Sequence, residues 1–187
     1  MKNKILNIPN ILTILRFFLV PVAVALIFSD FPYANLWAAG VVVLAYITDV
    51  LDGYIARHNH IVTDFGKLMD PAADKCMQIA LFVCLSIKMP IIIPALVFLV
   101  LKDLSLAAGA GYLYKKEIVL SANWYGKVAS FVTLFVLLAI LIFRRLPSIW
   151  VIALISLTVV FNLVAIISYG KAFFHVLREK QNKGAEE

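Results

Sequence analysis

The sequence predicts an all-α polytopic membrane protein with six transmembrane helices, and two observations predict it. Mean hydropathy is +0.96 with only 15% charged residues, far outside the range of a soluble globular domain. Apolar runs long enough to cross a bilayer recur along the whole chain.

The elements follow in order. The first run, residues 8–29, reads as a retained span, because no small-residue cleavage site follows it and the protein continues as membrane. The second covers 36–56. The third, 72–87, is short and open to a tilted or re-entrant start. The remaining runs cover 91–114, 128–143 and 149–174. With 187 residues and short connections there is room for one membrane domain, 1–179, and no soluble domain. No repeat appears, and the polar tail, 180–187, reads as disordered.

The net charge of +6 is first a statement about topology. Lys2, Lys4, Arg57, Lys67, Lys115, Lys116, Lys171, Arg178, Lys180 and Lys183 fall on one side of a six-span arrangement. Lys88, Arg144 and Arg145 fall on the other, the arginine pair against the trend. The positive-inside rule then places both termini and the aspartate-rich stretch in the cytoplasm, at the cell (plasma) membrane. A basic cytoplasmic surface suits anionic membrane lipids. Nucleic acid is excluded as a partner, since no soluble basic face exists to carry it. Cys76 and Cys84 lie in one apolar run and read as two reduced core residues.

Against this apolar background the stretch "DVLDGYIARHNHIVTDFGKLMDPAADK", 49–75, holds five of the eleven acidic residues. Asp49, Asp52, Gly53 and Ala56 fall at i, i+3, i+4 and i+7, one face of the second helix. Gly66, Asp70 and Asp74 fall at i, i+4 and i+8, again one face. Pro71 after Asp70 predicts a helix starting there, with Asp70 as its cap. A short connection makes the two helices antiparallel neighbours, so Asp49, Asp52, Asp70 and Asp74 can converge near the membrane surface.

Four convergent carboxylates cannot all stay ionised at low dielectric without compensation. One or two divalent cations supply it, and all-oxygen ligands select Mg²⁺, Mn²⁺ or Ca²⁺ over zinc. Two metals on shared carboxylates suit in-line phosphoryl chemistry, where they clamp a diphosphate and stabilise the leaving oxygen. Gly53 and Ala56 leave room for a flat or bulky group against the helix beside them. A structural or regulatory ion site is the competing reading of the same acids. Asp64 alone reads as a solvated loop residue, and His58 and His60 as bystanders near a phosphate site rather than ligands.

At every fixed position this stretch resembles the CDP-alcohol phosphatidyltransferase family motif D-x2-D-G-x2-A-R-x8-G-x3-D-x3-D, through Asp49, Asp52, Gly53, Ala56, Arg57, Gly66, Asp70 and Asp74. The six spans also resemble the family fold. The resemblance implies that Asp49, Asp52 and Asp70 hold one Mg²⁺ or Mn²⁺ ion, and Asp49, Asp70 and Asp74 a second. It implies that Asp74 doubles as general base and that the acceptor hydroxyl attacks the phosphorus next to diacylglycerol, releasing CMP. Gly53 and Ala56 would accommodate the cytidine nucleotide of CDP-diacylglycerol, and Arg57 would meet phosphate. The opening "NIPNILTILRF" resembles the family's P-N-x-L-T-x-x-R start, which implies that Asn10 and Thr13 lie near the nucleotide. The resemblance also implies a homodimer.

The acceptor is less sharply specified. The whole resemblance is to the branch that makes phosphatidylglycerol phosphate from glycerol 3-phosphate, with cardiolipin synthase, whose acceptor is phosphatidylglycerol, as the alternative. Lys102-Asp103 stands in the fourth run where an Arg-Glu pair is usual, and Ala110 where a second arginine is expected. Lys102 and Lys127, the latter in a Gly126-Lys127 pair shared by both branches, are the candidate acceptor-binding residues. An intramembrane prenyltransferase would need a longer chain and two separated acidic motifs. A transporter would need a polar path through the bilayer, and outside the cluster only Arg16, Lys102, Asp103 and Asn162 are available.

Overall fold

The computed structural model describes the backbone of residues 8–58, 64–115, 124–143 and 145–183. Side chains are described over 11–51, 72–109 with 111, 124–143 and 145–173. Six α-helices follow one another: α1 (Ile8–Ile27), α2 (Ala34–His58), α3 (Asp64–Lys88), α4 (Ile93–Lys115), α5 (Trp124–Ile142) and α6 (Ser148–Lys183). One turn of 3-10 helix at Pro90–Ile92 leads into α4, and no strand occurs among the described residues.

Each expected apolar run has become a helix. Four stretches are long and apolar enough to cross a membrane: Ala34–Leu51, Pro90–Gly109, Trp124–Ile142 and Ser148–Phe173. The apolar part of α1, Ile11–Ile27, is shorter. α3 stands outside this group because its first half carries Asp64, Lys67, Asp70, Asp74 and Lys75, leaving only 76–87 free of charge. The chain is a multi-pass membrane protein. Its surface agrees, with Phe18, Leu104 and Phe135 each more than three-fifths exposed. Such side chains are tolerable when lipid, not water, covers them. Exposed aromatics also gather at helix starts, Tyr33 and Trp37 by α2, Trp124 and Tyr125 on α5, Trp150 on α6. That is where amphipathic rings meet the membrane interface.

Three expectations are corrected. α3 begins at Asp64 and runs through Asp70 and Pro71, so Asp70 is not a cap and Asp64 is not a loop residue. An interior proline forfeits one i→i−4 bond, and a 25-residue helix retains nearly all the others. α6 continues to Lys183, past the expected start of a disordered tail at 180, because Leu177 to Lys180 are strong helix formers and extending a helix is easier than nucleating one. Residues 184–187 lie outside the described residues. Cys84 is buried as expected, whereas Cys76 is exposed and no core residue; both thiols are free.

The chain divides into two compact units, Met1–Pro90 with Leu138–Arg145, and Ile91–Leu137 with Leu146–Glu187. In the first, α1 packs on α2 and α3. Its buried positions, Thr13, Arg16, Ala23 and Ile27, recur at helical spacing. Opposite them α2 presents Ala38, Val42 and Ala45, small side chains that let two backbones approach closely. At the far ends of α1 and α3 the Lys88 ammonium donates to the Ile27 carbonyl and sits 5.6 Å from the Phe28 ring centroid. A cation at the last carbonyls of a helix is favourable, and here it ties the two helix ends together.

In the second unit a polar network joins three helices. Lys102 Nζ on α4 donates to Asn162 Oδ1 on α6 at 2.8 Å. Asn162 Nδ2 donates to Thr133 Oγ1 on α5 at 3.1 Å and to the Thr158 carbonyl at 2.9 Å. Gly126 at the start of α5 faces Tyr169 of α6, and a Cβ added there would lie 3.0 Å from the Tyr169 hydroxyl oxygen.

Candidate active site

The site grows from the register of α2. Its buried stripe of Ala38, Val42 and Ala45 continues one turn on to Asp49, so the packing that brings α1 against α2 also brings α1 against the first acid. There Arg16 Nη1 lies 2.7 Å from Asp49 Oδ1, an ion pair between the two helices. The partners differ in exposure: the Arg16 side chain is 2% exposed, Asp49 37%. Thr13, one turn before Arg16 on the same face of α1, is also buried.

Tyr46, one turn before Asp49, reaches the third helix. Its hydroxyl donates a hydrogen bond to Asp74 of α3, and Asp49 and Arg16 lie within electrostatic reach of the same hydroxyl. Three helices thus contribute Arg16, Tyr46, Asp49 and Asp74 to one end of the first unit. The Lys88 anchor lies at the other end of α3, about 20 Å away at 1.5 Å per residue. The acids are therefore concentrated at one pole of the helices, not along them.

Of the four predicted metal-binding acids, Asp49 and Asp74 are described and meet around Tyr46. Asp52, Gly53, Ala56 and Arg57 occupy the continuing backbone of α2 and Asp70 that of α3, while their side chains lie outside the described residues. Because both helices run unbroken, the i, i+3, i+4, i+7 and i, i+4, i+8 relations hold in the structure. Asn10 falls on α1, its side chain outside the described residues, and Thr13 is buried against the neighbouring helices. His58 ends α2, and His60 lies outside the described residues.

The two acceptor candidates belong to the second unit. Lys102 is 8% exposed and held by Asp103 Oδ1 at 2.8 Å as well as by Asn162. Lys127 is exposed near the start of α5.

Sequence reasoning named Arg16 only as a scattered polar group and passed over Tyr46. A signal was available for each. An arginine inside an apolar run requires a partner, and Tyr46 precedes Asp49 by three residues, hence shares its face.

Chemically, Asp49 and Asp74 offer hard carboxylate oxygens, and part of Asp49 stays open. That donor chemistry fits an oxygen-seeking divalent cation such as Mg²⁺ or Mn²⁺. Arg16 offsets one negative charge, and the Tyr46 hydrogen bond orients Asp74.

Residues 6–168 match the family described as CDP-alcohol phosphatidyltransferase. The chain is 48% identical over 71 residues to a CDP-diacylglycerol–glycerol-3-phosphate 3-phosphatidyltransferase of Rickettsia bellii, covering 38% of this chain and 39% of the relative. It is 42% identical over 72 residues to a protein of the same name from Pseudomonas fluorescens, covering 38% of this chain and 37% of the relative. A cardiolipin synthase (CMP-forming) of Oryza sativa subsp. japonica is 41% identical over 85 residues, covering 46% of this chain and 26% of the relative. The chain thus spans about two fifths or less of the length of these curated relatives.

Proposed function

Because the chain belongs to the CDP-alcohol phosphatidyltransferase family, we propose that it transfers a phosphatidyl group from CDP-diacylglycerol to the hydroxyl of glycerol 3-phosphate, yielding phosphatidylglycerol phosphate and CMP. One observation carries the reading. Two motif acids from different helices, Asp49 and Asp74, meet around Tyr46 with a buried cation beside them.

Asp49, Asp52 and Asp70 would hold one Mg²⁺ or Mn²⁺ ion, and Asp49, Asp70 and Asp74 a second. When bound, such ions neutralise the diphosphate and stabilise the departing oxygen. The chain's own residues do the rest. Asp74 accepts the proton of the acceptor hydroxyl as that oxygen bonds to the phosphorus next to diacylglycerol. The bond from that phosphorus to the CMP oxygen breaks, and CMP leaves with its electron pair. Tyr46 keeps Asp74 aimed. Gly53 and Ala56 give the nucleotide room, Asn10 lines its approach and Arg57 meets phosphate, while Thr13, expected beside the nucleotide, is buried and packs α1 against its neighbours. Lys102 is held by Asp103 and Asn162, so exposed Lys127 is the better candidate for the acceptor's phosphate. The site faces the cytoplasm at the plasma membrane, and two copies of the chain associate.

A second reading has its own support: Ala110 stands where an arginine is expected, and a cardiolipin synthase is among the relatives. The test supplies purified protein with radiolabelled CDP-diacylglycerol and, in parallel, glycerol 3-phosphate, phosphatidylglycerol, inositol phosphate or serine. Phosphatidylglycerol phosphate is the expected product. Cardiolipin would transfer the assignment to the second reading, and no CMP release with any acceptor would sink both.

A further inference from the structure

We propose that Arg16 is the positioning residue of the metal site: it holds the Asp49 carboxylate in place for cation binding and takes no part in the reaction itself. This rests on the metal-dependent reading above and goes beyond it, since that reading assigns Arg16 no task.

The starting point is an imbalance. A charge in the apolar part of a helix is costly, and Arg16 is 2% exposed. Its partner Asp49, at 2.7 Å, keeps 37% of its side-chain surface open. A pair serving only to join α1 to α2 would be matched or bettered by well-packed apolar side chains, because desolvating an ion is costly. Here the cation is enclosed and the anion is presented.

The surroundings hold the arginine still. Thr13 precedes it by one turn at 1% exposure, and Ala45 precedes Asp49 by one turn at 1%. Thr48, beside Asp49, is buried with its hydroxyl turned back to the Ala45 carbonyl at 2.7 Å. Small and self-satisfied neighbours keep α1 and α2 close, so the guanidinium has little room to swing. Guanidinium is planar, permanently charged and matched in shape to carboxylate. It therefore restrains the Asp49 carboxylate in one orientation, with its open side presented to a cation.

A positive charge near a cation site also repels the cation. Restraint and repulsion predict opposite signs, which makes the inference testable. Groups that orient metal ligands from behind typically change metal affinity by about 10- to 100-fold when altered.

The experiment measures Mn²⁺ binding by electron paramagnetic resonance of the free ion, on detergent-purified protein without lipid substrate. Arg16→Lys keeps the charge and the apolar stem but loses the planar fork, and Arg16→Gln keeps the hydrogen-bonding capacity without charge. Restraint predicts at least about 10-fold weaker Mn²⁺ binding in Arg16→Lys and more in Arg16→Gln. Turnover falls at limiting Mn²⁺ and rises again as Mn²⁺ is added, the half-saturating concentration shifting with the binding constant, so the effect lies in loading. In an Asp49→Asn background, Arg16→Lys changes Mn²⁺ affinity no further. Equal or tighter binding in both Arg16 variants overturns the proposal while leaving the metal site standing. Independent effects of Arg16→Lys and Asp49→Asn overturn it too. No Mn²⁺ binding by the unaltered protein overturns the metal reading itself.

Discussion

At the residue scale the site separates residues that the motif treats alike. Asp49 is shared between an ion pair and an open face, whereas Asp74 accepts a hydrogen bond from Tyr46. Asp74→Asn keeps the volume and one oxygen but cannot take the acceptor's proton. Turnover should fall about 100-fold or more, the usual contribution of a general base, with CDP-diacylglycerol affinity little changed. Asp52→Asn should instead weaken metal and CDP-diacylglycerol binding, with partial rescue by added Mg²⁺. Turnover and affinity for both variants across a Mg²⁺ titration check this. Recovery of Asp74→Asn to normal turnover at high Mg²⁺ would reduce Asp74 to a ligand.

At the element scale, small residues and polar bridges do the work that hydrophobic burial does in water. Lipid is as apolar as leucine, so helices associate through close packing and interhelical hydrogen bonds. Ala38 and Ala45 serve the first purpose on α2. Asn162, 1% exposed and bonded to side chains on α4 and α5, serves the second. Asn162→Leu removes both bridges and should lower stability in detergent by about 1–2 kcal/mol. Thr133→Val removes one of the same bridges, so the double variant should lose less than the sum of the singles. Thermal unfolding of all three variants checks it, and strict additivity would show that the bridges act independently. Near the acids the relevant feature is space. Gly53→Leu or Ala56→Leu should block CDP-diacylglycerol binding in protein that still inserts and folds, measured by equilibrium binding; unchanged affinity in both would put the cytidine elsewhere.

For the whole molecule, the proposed site lies at one end of α1, α2 and α3, and that makes cation dependence and topology joint predictions. EDTA should abolish CMP release and Mg²⁺ or Mn²⁺ restore it, whereas full activity in excess chelator would remove the metal site from the proposal. The proposed topology, drawn from the charge bias, predicts a cytoplasmic position for Lys115 and Lys116. A cysteine introduced at Lys116 in a Cys76→Ser, Cys84→Ser background should react with an impermeant maleimide in inverted vesicles and not in right-side-out ones. Labelling of the opposite pattern would invert the topology.

Helix number, approximate span positions and the face-sharing of Asp49, Asp52, Gly53 and Ala56 were legible in the chain alone. Each depends on local period and hydropathy, which neighbours in sequence express directly. The motif also grouped Asp49 with Asp74, and the structure brings both to Tyr46. Local rules failed at Pro71, read as a helix start, because the helix around it tolerates one missing bond. They failed at Cys76, because an apolar run does not say which side faces the bundle and which faces lipid. What only the tertiary structure decided is how the acids are held. Arg16 and Asp49 are far apart in sequence, as are Tyr46 and Asp74, and no periodicity couples them. Their meeting follows from the close approach of α1, α2 and α3, set by side chains such as Ala38 and Ala45 on the helix faces turned toward one another.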